Sequence, residues 1–233
     1  MELKGARILL TGGSSGIGKA TAQLLASKGA ELLITGRDEQ KLAAVAKSLN
    51  VAYLAADAGK EEDIQKTFEK VDQLWGGLDV LINNAGIGKS YKLEELSFSA
   101  FEEIFRVNVY GAAIMAQKAV ERFKKRQKGN IVNIASSAAL KGYPGGSVYS
   151  ASKFALRSMS QAWQAELRRD NIRVMLIHPS EVPTAFGSEE RIEREEVDNK
   201  LTSMEIAHSI VAALEMDDRG FIPELAVWAT NPF

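Results

Sequence analysis

From one end of the chain to the other, short apolar runs alternate with longer stretches in which apolar residues recur every three or four positions. The short runs are rich in Leu, Ile and Val and are bounded by Gly, Asp and Asn, the pattern of buried strands. They fall at residues 7–10, 31–35, 52–55, 80–82, 130–135, 173–177 and 225–228. Between them, helical periodicity predicts helices over 16–28, 38–49, 61–74, 98–125, 148–169 and 203–215. Strands that alternate with helices of crossover length predict parallel pairing through right-handed connections. The expected fold is α/β, one domain over residues 1–233 with a doubly wound parallel sheet and helices on both faces.

One segment breaks the pattern. Residues 187–200 carry Glu189, Glu190, Arg191, Glu193, Arg194, Glu195 and Glu196, with Ile192 and Val197 as the main apolar residues. Glu190 with Arg194, and Arg191 with Glu195, have the i,i+4 spacing of a short exposed helix. With little area to bury, the segment is expected to act as a mobile lid over a substrate site. Its acidic excess disfavours anionic substrates unless Arg191 and Arg194 turn inward.

Bulk composition narrows the function by exclusion. Twenty-nine basic residues stand against thirty acidic ones, net −1, so no global field draws nucleic acid or an acidic membrane. Lys124, Lys125, Arg126 and Lys128 cluster where a helix closes, which is where cations complement its dipole. The absence of cysteine removes disulfides, thiolate catalysis and zinc–thiolate sites. His178 and His208 lie too far apart for helical pairing, so no metal site is expected. No leader segment and no bilayer-length apolar run are expected either, and the cytoplasm is the expected compartment.

Two constellations carry chemistry. The first is Tyr149-Ser150-Ala151-Ser152-Lys153 at the start of an amphipathic helix. Residues four apart share a helical face, offset by about 6 Å along the axis, within reach of one ligand. An ammonium beside a phenol stabilises the phenolate, so the pair reads as a general acid/base with a lowered tyrosine pKa. The second is Thr11-Gly12-Gly13-Ser14-Ser15-Gly16-Ile17-Gly18, between the first strand and the first helix. Strand, glycine turn and helix form a dinucleotide-binding context. Gly12 permits the turn, Gly16 lets backbone approach a pyrophosphate, and Gly18 lets the helix pack closely. The phosphates would face the helix N-terminus. The second strand ends Gly36-Arg37, where an acidic residue would suit a ribose hydroxyl and an Arg suits a 2′-phosphate. Arg37 favours NADP(H), whereas a turn with Ser14 and Ser15 but no basic residue leaves NAD(H) open. Asp57, after the third strand, can accept from an adenine amine or serve the turn before the next helix.

With Asn83-Asn84-Ala85-Gly86 and a serine thirteen residues before Tyr149, these signatures stand in one order along the chain. In that order the sequence resembles the short-chain dehydrogenase/reductase family, over nearly its whole length. The resemblance implies a Rossmann-like fold and a hydride transfer between a nicotinamide and a carbonyl or secondary alcohol. It implies a strand-stabilising role for Asn83 and puts Asn84, Ala85 and Gly86 against the cofactor. Ser136 would bond the substrate carbonyl beside Tyr149, and Lys153 would bond the nicotinamide ribose. Asn108, in the middle of a helix, would help to hold a proton-supply water, or else mark a kink. In 178–184, Pro179, Val182 and Thr184 match the family, with Thr184 on the nicotinamide carboxamide. Ser180 stands where relatives carry glycine, and His178 reads as structural. A non-catalytic dinucleotide sensor on the same fold is the alternative, against which the complete set Asn108, Ser136, Tyr149 and Lys153 argues. The resemblance also implies a homotetramer or homodimer, to which Phe101, Phe105, Ile114 and Trp163 would lend apolar surface. Substrate identity stays open among 3-oxoacyl thioesters, small ketones or aldehydes, and hydroxy acids.

Overall fold

Each buried strand has apolar side chains on both faces, and alternation sorts them into two layers. In the computed structural model, which describes residues 1–186 and 194–232, the strands are β1 (Arg7–Thr11), β2 (Glu31–Gly36), β3 (Ala52–Ala55), β4 (Val80–Asn83), β5 (Gly129–Ile134), β6 (Ile172–Pro179) and β7 (Glu224–Val227). On one face Ile8, Leu10, Ile34, Ile82, Val132 and Met175 meet helices α1 (Gly16–Ser27), α2 (Glu39–Leu49) and α7 (Ser203–Glu215). On the other, Leu9, Leu33, Leu81, Ile131 and Val174 meet α3 (Glu61–Trp75), α5 (Ala112–Arg126) and the end of α6 (Ser147–Leu167). Leu9 sits between Leu33 and Leu81 in the ladder and is fully buried.

All seven strands run parallel in the order β3-β2-β1-β4-β5-β6-β7. The chain winds outward from β1 through β2 to β3, then returns to the other side of β1 as β4. Above the carboxyl ends of β1 and β4 the crossovers diverge and leave a crevice, the place where doubly wound sheets bind ligands. The expected sheet, its parallel strands and its helices on both faces are all present.

Three boundaries differ from the periodicity reading. The helix expected over 98–125 is broken into α4 (Phe98–Phe105), a π-helical stretch Arg106–Gly111, and α5. β6 runs on to Pro179, so His178 belongs to the sheet. β7 ends at Val227, which frees Trp228 from the ladder. The expected charged helix and lid over 187–200 fall partly on 187–193, outside the described residues, and 194–200 is not helical. Among the described residues, no helix is long and apolar enough to cross a membrane and no side-chain cluster could hold a metal ion.

Candidate active site

The turn after β1 is set by backbone that only glycine adopts readily. Gly12 and Gly16 have φ of 71° and 50°, in the left-handed region. A Cβ on Gly18 would lie 2.0 Å from the Gly12 carbonyl oxygen and 2.5 Å from Asn84 Nδ2. The turn is held from β4: Asn84 Nδ2 donates to the carbonyls of Thr11 (2.9 Å) and Gly12 (3.0 Å). Thr11 Oγ1 in return accepts from the amides of Asn84 (3.1 Å) and Ala85 (3.0 Å). Helix α1 then starts at Ser15 with no side-chain cap and no acidic residue in its first turn. A helix N-terminus left in this state, opening on a crevice, is a seat for an anion.

That crevice is a cavity of about 1020 Å³. Its lining includes Gly12, Ser14, Ser15, Gly16, Ile17, Gly18, Arg37, Asp57, Asn84, Ala85, Gly86, Ser136, Tyr149, Lys153, Pro179, Val182 and Thr184. Every site residue expected from the sequence therefore meets here except Asn108. Arg37 is exposed at the end of β2. Asp38, the next residue, is engaged as the cap of α2, accepting from the Lys41 amide at 3.0 Å. Asp57 accepts from the Gly59 amide at 2.9 Å, the turn role, while still facing the cavity. Thr184 is buried against the turn, its Cγ2 3.1 Å from where a Cβ on Gly16 would stand.

Tyr149 and Lys153 leave the buried face of α6, 9% and 4% exposed. Ser136 caps a short turn after β5, its Oγ accepting from the Ala138 amide at 3.1 Å, and its side chain lies near enough to the Tyr149 phenol to favour the charged form. Lys153 Nζ donates to the Ile134 carbonyl at 2.8 Å and lies 5.8 Å from the centre of the Tyr149 ring. Here the expected electrostatics are reversed. Burial pushes the Tyr149 phenol up to about 12, against a smaller lowering from Ser136. Burial also pulls Lys153 down to about 8. Desolvation penalises both charged forms, and an ammonium held by a carbonyl does not compensate the phenolate.

Asn108 stands off the cavity, almost fully buried in the π-helical stretch. Its amide binds both backbone polar groups of Ile87 at 2.9 Å and donates to Ser152 Oγ at 3.1 Å. Of its two sequence readings, the helix distortion is observed; it ties the loop after β4 to α6. Asn83 plays a similar part, donating to Ala112 O (3.1 Å) and Asn133 Oδ1 (3.0 Å). Asn133 in turn donates to Ser160 Oγ at 2.8 Å. His178 contacts the Ser136 carbonyl through Nδ1 at 3.1 Å, in line with a structural role.

Sequence reasoning missed several residues of this site. Asn133 and Ser160 are buried polar side chains on elements that otherwise read as apolar, a signal that was available. Tyr143, Phe186 and Trp228 also line the cavity; Tyr143 and Phe186 lie in stretches without periodicity, and Trp228 reads as the end of the last strand. Of the four residues expected to lend apolar surface to an oligomer, Ile114 and Trp163 are partly buried against the second core layer.

Relatives share this architecture along its whole length. The model of the short chain dehydrogenase family matches residues 6–195. A human 3-oxoacyl-[acyl-carrier-protein] reductase is 35% identical, with 88% of this chain and 89% of that one covered. The solved alcohol dehydrogenase of Thermococcus sibiricus, complexed with 5-hydroxy-NADP, superposes with a TM-score of 0.90 at 27% identity, covering 97% of each chain. The 3-ketoacyl-(acyl-carrier-protein) reductase of Brucella melitensis, complexed with NADH, gives 0.89 at 27% identity over 99% of this chain and 100% of that one. Joined to a parallel sheet with its crevice between β1 and β4, these matches place the chain in the short-chain dehydrogenase family, as an oxidoreductase.

Proposed function

We propose that the protein transfers hydride between a nicotinamide dinucleotide, NADP(H) in preference to NAD(H), and a carbonyl or secondary alcohol, with Tyr149 as general acid/base. The carrying observation is that the Tyr149 phenol, the Ser136 hydroxyl and the Lys153 ammonium meet in the cavity that the glycine turn opens on. The residues fit a dinucleotide: the side chain of Ser15 makes no capping bond to the α1 N-terminus that faces the cavity, and the Gly18 position leaves no room for a side chain. When bound, that cofactor supplies or accepts the hydride.

The chain's own residues manage orientation and the proton. A phenol raised to about 12 stays protonated through neutral pH, the state required of a donor. In the reducing direction Tyr149 gives that proton to the substrate oxygen, and Ser136 hydrogen-bonds the same oxygen. Lys153, lowered to about 8 by burial, is chiefly an ammonium at neutral pH, and it stabilises the phenolate left when Tyr149 gives up its proton, because the opposite charges offset each other's burial. Asn108 is a positioning residue that keeps the β4 loop and α6 in register. Arg37 supports the 2′-phosphate preference: it lines the cavity, and neither it nor Gly36 offers a carboxylate to a ribose hydroxyl.

The test is the oxidation of NADPH and of NADH over a panel of ketones and aldehydes. Turnover favouring NADPH is expected. Dinucleotide binding with no turnover across the panel would leave only a sensing role. A homodimer or homotetramer is part of the same reading, supported by the exposed aromatics Phe98, Phe101, Tyr110 and Phe154 on α4, the π-helical stretch and α6. Light scattering at micromolar concentration should find the assembly, and a monomer would contradict it.

A further inference from the structure

Three large aromatic side chains line the cavity with much of their surface exposed: Phe186 at 45%, Tyr143 at 46% and Trp228 at 61%. The Phe186 ring lies 5.7 Å from the Tyr149 ring, tilted by 57°. It is seated in a notch of the loop after β4, where a Cβ on Gly88 would come within 2.5 Å of the ring and one on Gly86 within 3.7 Å. Tyr143 approaches Tyr149 closely enough that charge on one disfavours charge on the other, and Ser90 lies beside it. Trp228 leaves the sheet beside the loop that carries Thr184: β7 pairs with β6 through Pro179 and Val227, and the Ser180 amide donates to the Val227 carbonyl at 2.9 Å. Among the described residues, Glu181 in this part of the cavity pairs with Lys200 at 3.0 Å.

Resting on the reaction proposed above, we infer that the substrate is a bulky, ring-bearing carbonyl compound, and that Phe186 is the main specificity-determining residue. Each ring is held by the protein on one side and leaves 45–61% of the residue exposed, so a planar apolar ligand gains contact area from all three. The aromatic wall begins at the proton donor, which puts a ring-conjugated carbonyl oxygen next to the Tyr149 hydroxyl. A small aliphatic ketone reaches Tyr149 but leaves Tyr143 and Trp228 uncovered. Gly88 belongs to the device, because only a residue without Cβ leaves the notch that Phe186 fills.

Acetophenone and acetone separate these cases, each with wild type, Phe186→Ala and Gly88→Ala. Wild type should show kcat/KM for acetophenone at least about a hundredfold above that for acetone. Pocket contacts of this size alter discrimination by about tenfold to two-hundredfold. Phe186→Ala should therefore cut the acetophenone value at least about tenfold and change the acetone value little. Gly88→Ala, which evicts the ring, should act in the same direction. Calorimetric binding of acetophenone, to the protein alone and with oxidised dinucleotide present, reads the wall without turnover and should weaken in both variants. Acetophenone binding with no reduction of any carbonyl would sink the reaction and leave the wall standing. Acetone reduced as well as acetophenone, or an equal loss for both ketones in Phe186→Ala, would overturn the inference.

Discussion

The two halves of the cavity are built from different material. Over β1 to β3 the wall is mostly backbone: a glycine turn, the N-terminus of α1, and side chains such as Asn84 that serve mainly to hold carbonyls in place. Over β5 to β7 it is side chains: a phenol, a hydroxyl, an ammonium and three exposed rings. Backbone recognises what every dinucleotide shares, a pyrophosphate, and tolerates no added atom. In the proposed reaction side chains do the proton chemistry and select the substrate, and their properties depend on how deeply the rest of the fold buries them.

Substitution should therefore fail differently in the two halves. The largest effect expected from the backbone half is Gly18→Ala. The new methyl group would meet a carbonyl oxygen at 2.0 Å, and displacing backbone by about 1 Å beside a ligand costs about a hundredfold. Fluorescence titration with NADPH should show that loss, and unchanged affinity would break the contrast. Arg37→Asp probes the one side chain that tunes this half. A charge-assisted hydrogen bond is worth about 1.5–3 kcal/mol, so the NADPH/NADH ratio of kcat/KM should fall by roughly tenfold to a hundredfold. A wild-type preference for NADH would remove the argument.

The smallest effect is the most specific to the side-chain half. Lys153 titrates near 8 when folded against 10.5 ordinarily, so between those values the unfolded chain holds the extra proton. Stability then rises with pH across that window, and below pH 8 the buried ammonium is a full cost. Without dinucleotide, Lys153→Met should be more stable than wild type at pH 7 by about 1–3 kcal/mol, and the gap should close as pH climbs toward 10.5. Urea denaturation measures it. A variant less stable than wild type at pH 7 would mean that the ammonium is compensated in the fold.

The same division explains what could be read from the amino-acid sequence. Gly12, Gly16 and Gly18 follow a short apolar run and precede a helical pattern, so both the turn and the crevice beyond it were legible. Tyr149 and Lys153 were legible as a pair because helical spacing fixes their shared face. The direction of their pKa shifts was not, because desolvation is set by residues remote in sequence such as Ile134 and Phe186. The π-helical break at Asn108 was half visible. Gly111 stands mid-helix because a Cβ there would meet the Ala58 carbonyl oxygen at 1.9 Å, a close approach that hydrophobic periodicity does not report. Phe186 had no local signature and Trp228 read as a strand residue; their positions follow from the path of β6 into its loop and from the early end of β7.

The central claim is that Tyr149 moves the proton while the glycine turn independently holds the dinucleotide. Tyr149→Phe keeps the ring and removes only the hydroxyl, so kcat for carbonyl reduction and Kd for NADPH, measured on the same preparation, separate the two. General acid catalysis is worth about a hundredfold to ten-thousandfold, and a loss of kcat in that range with Kd within about twofold of wild type is the predicted result. A kcat within tenfold of wild type would contradict it.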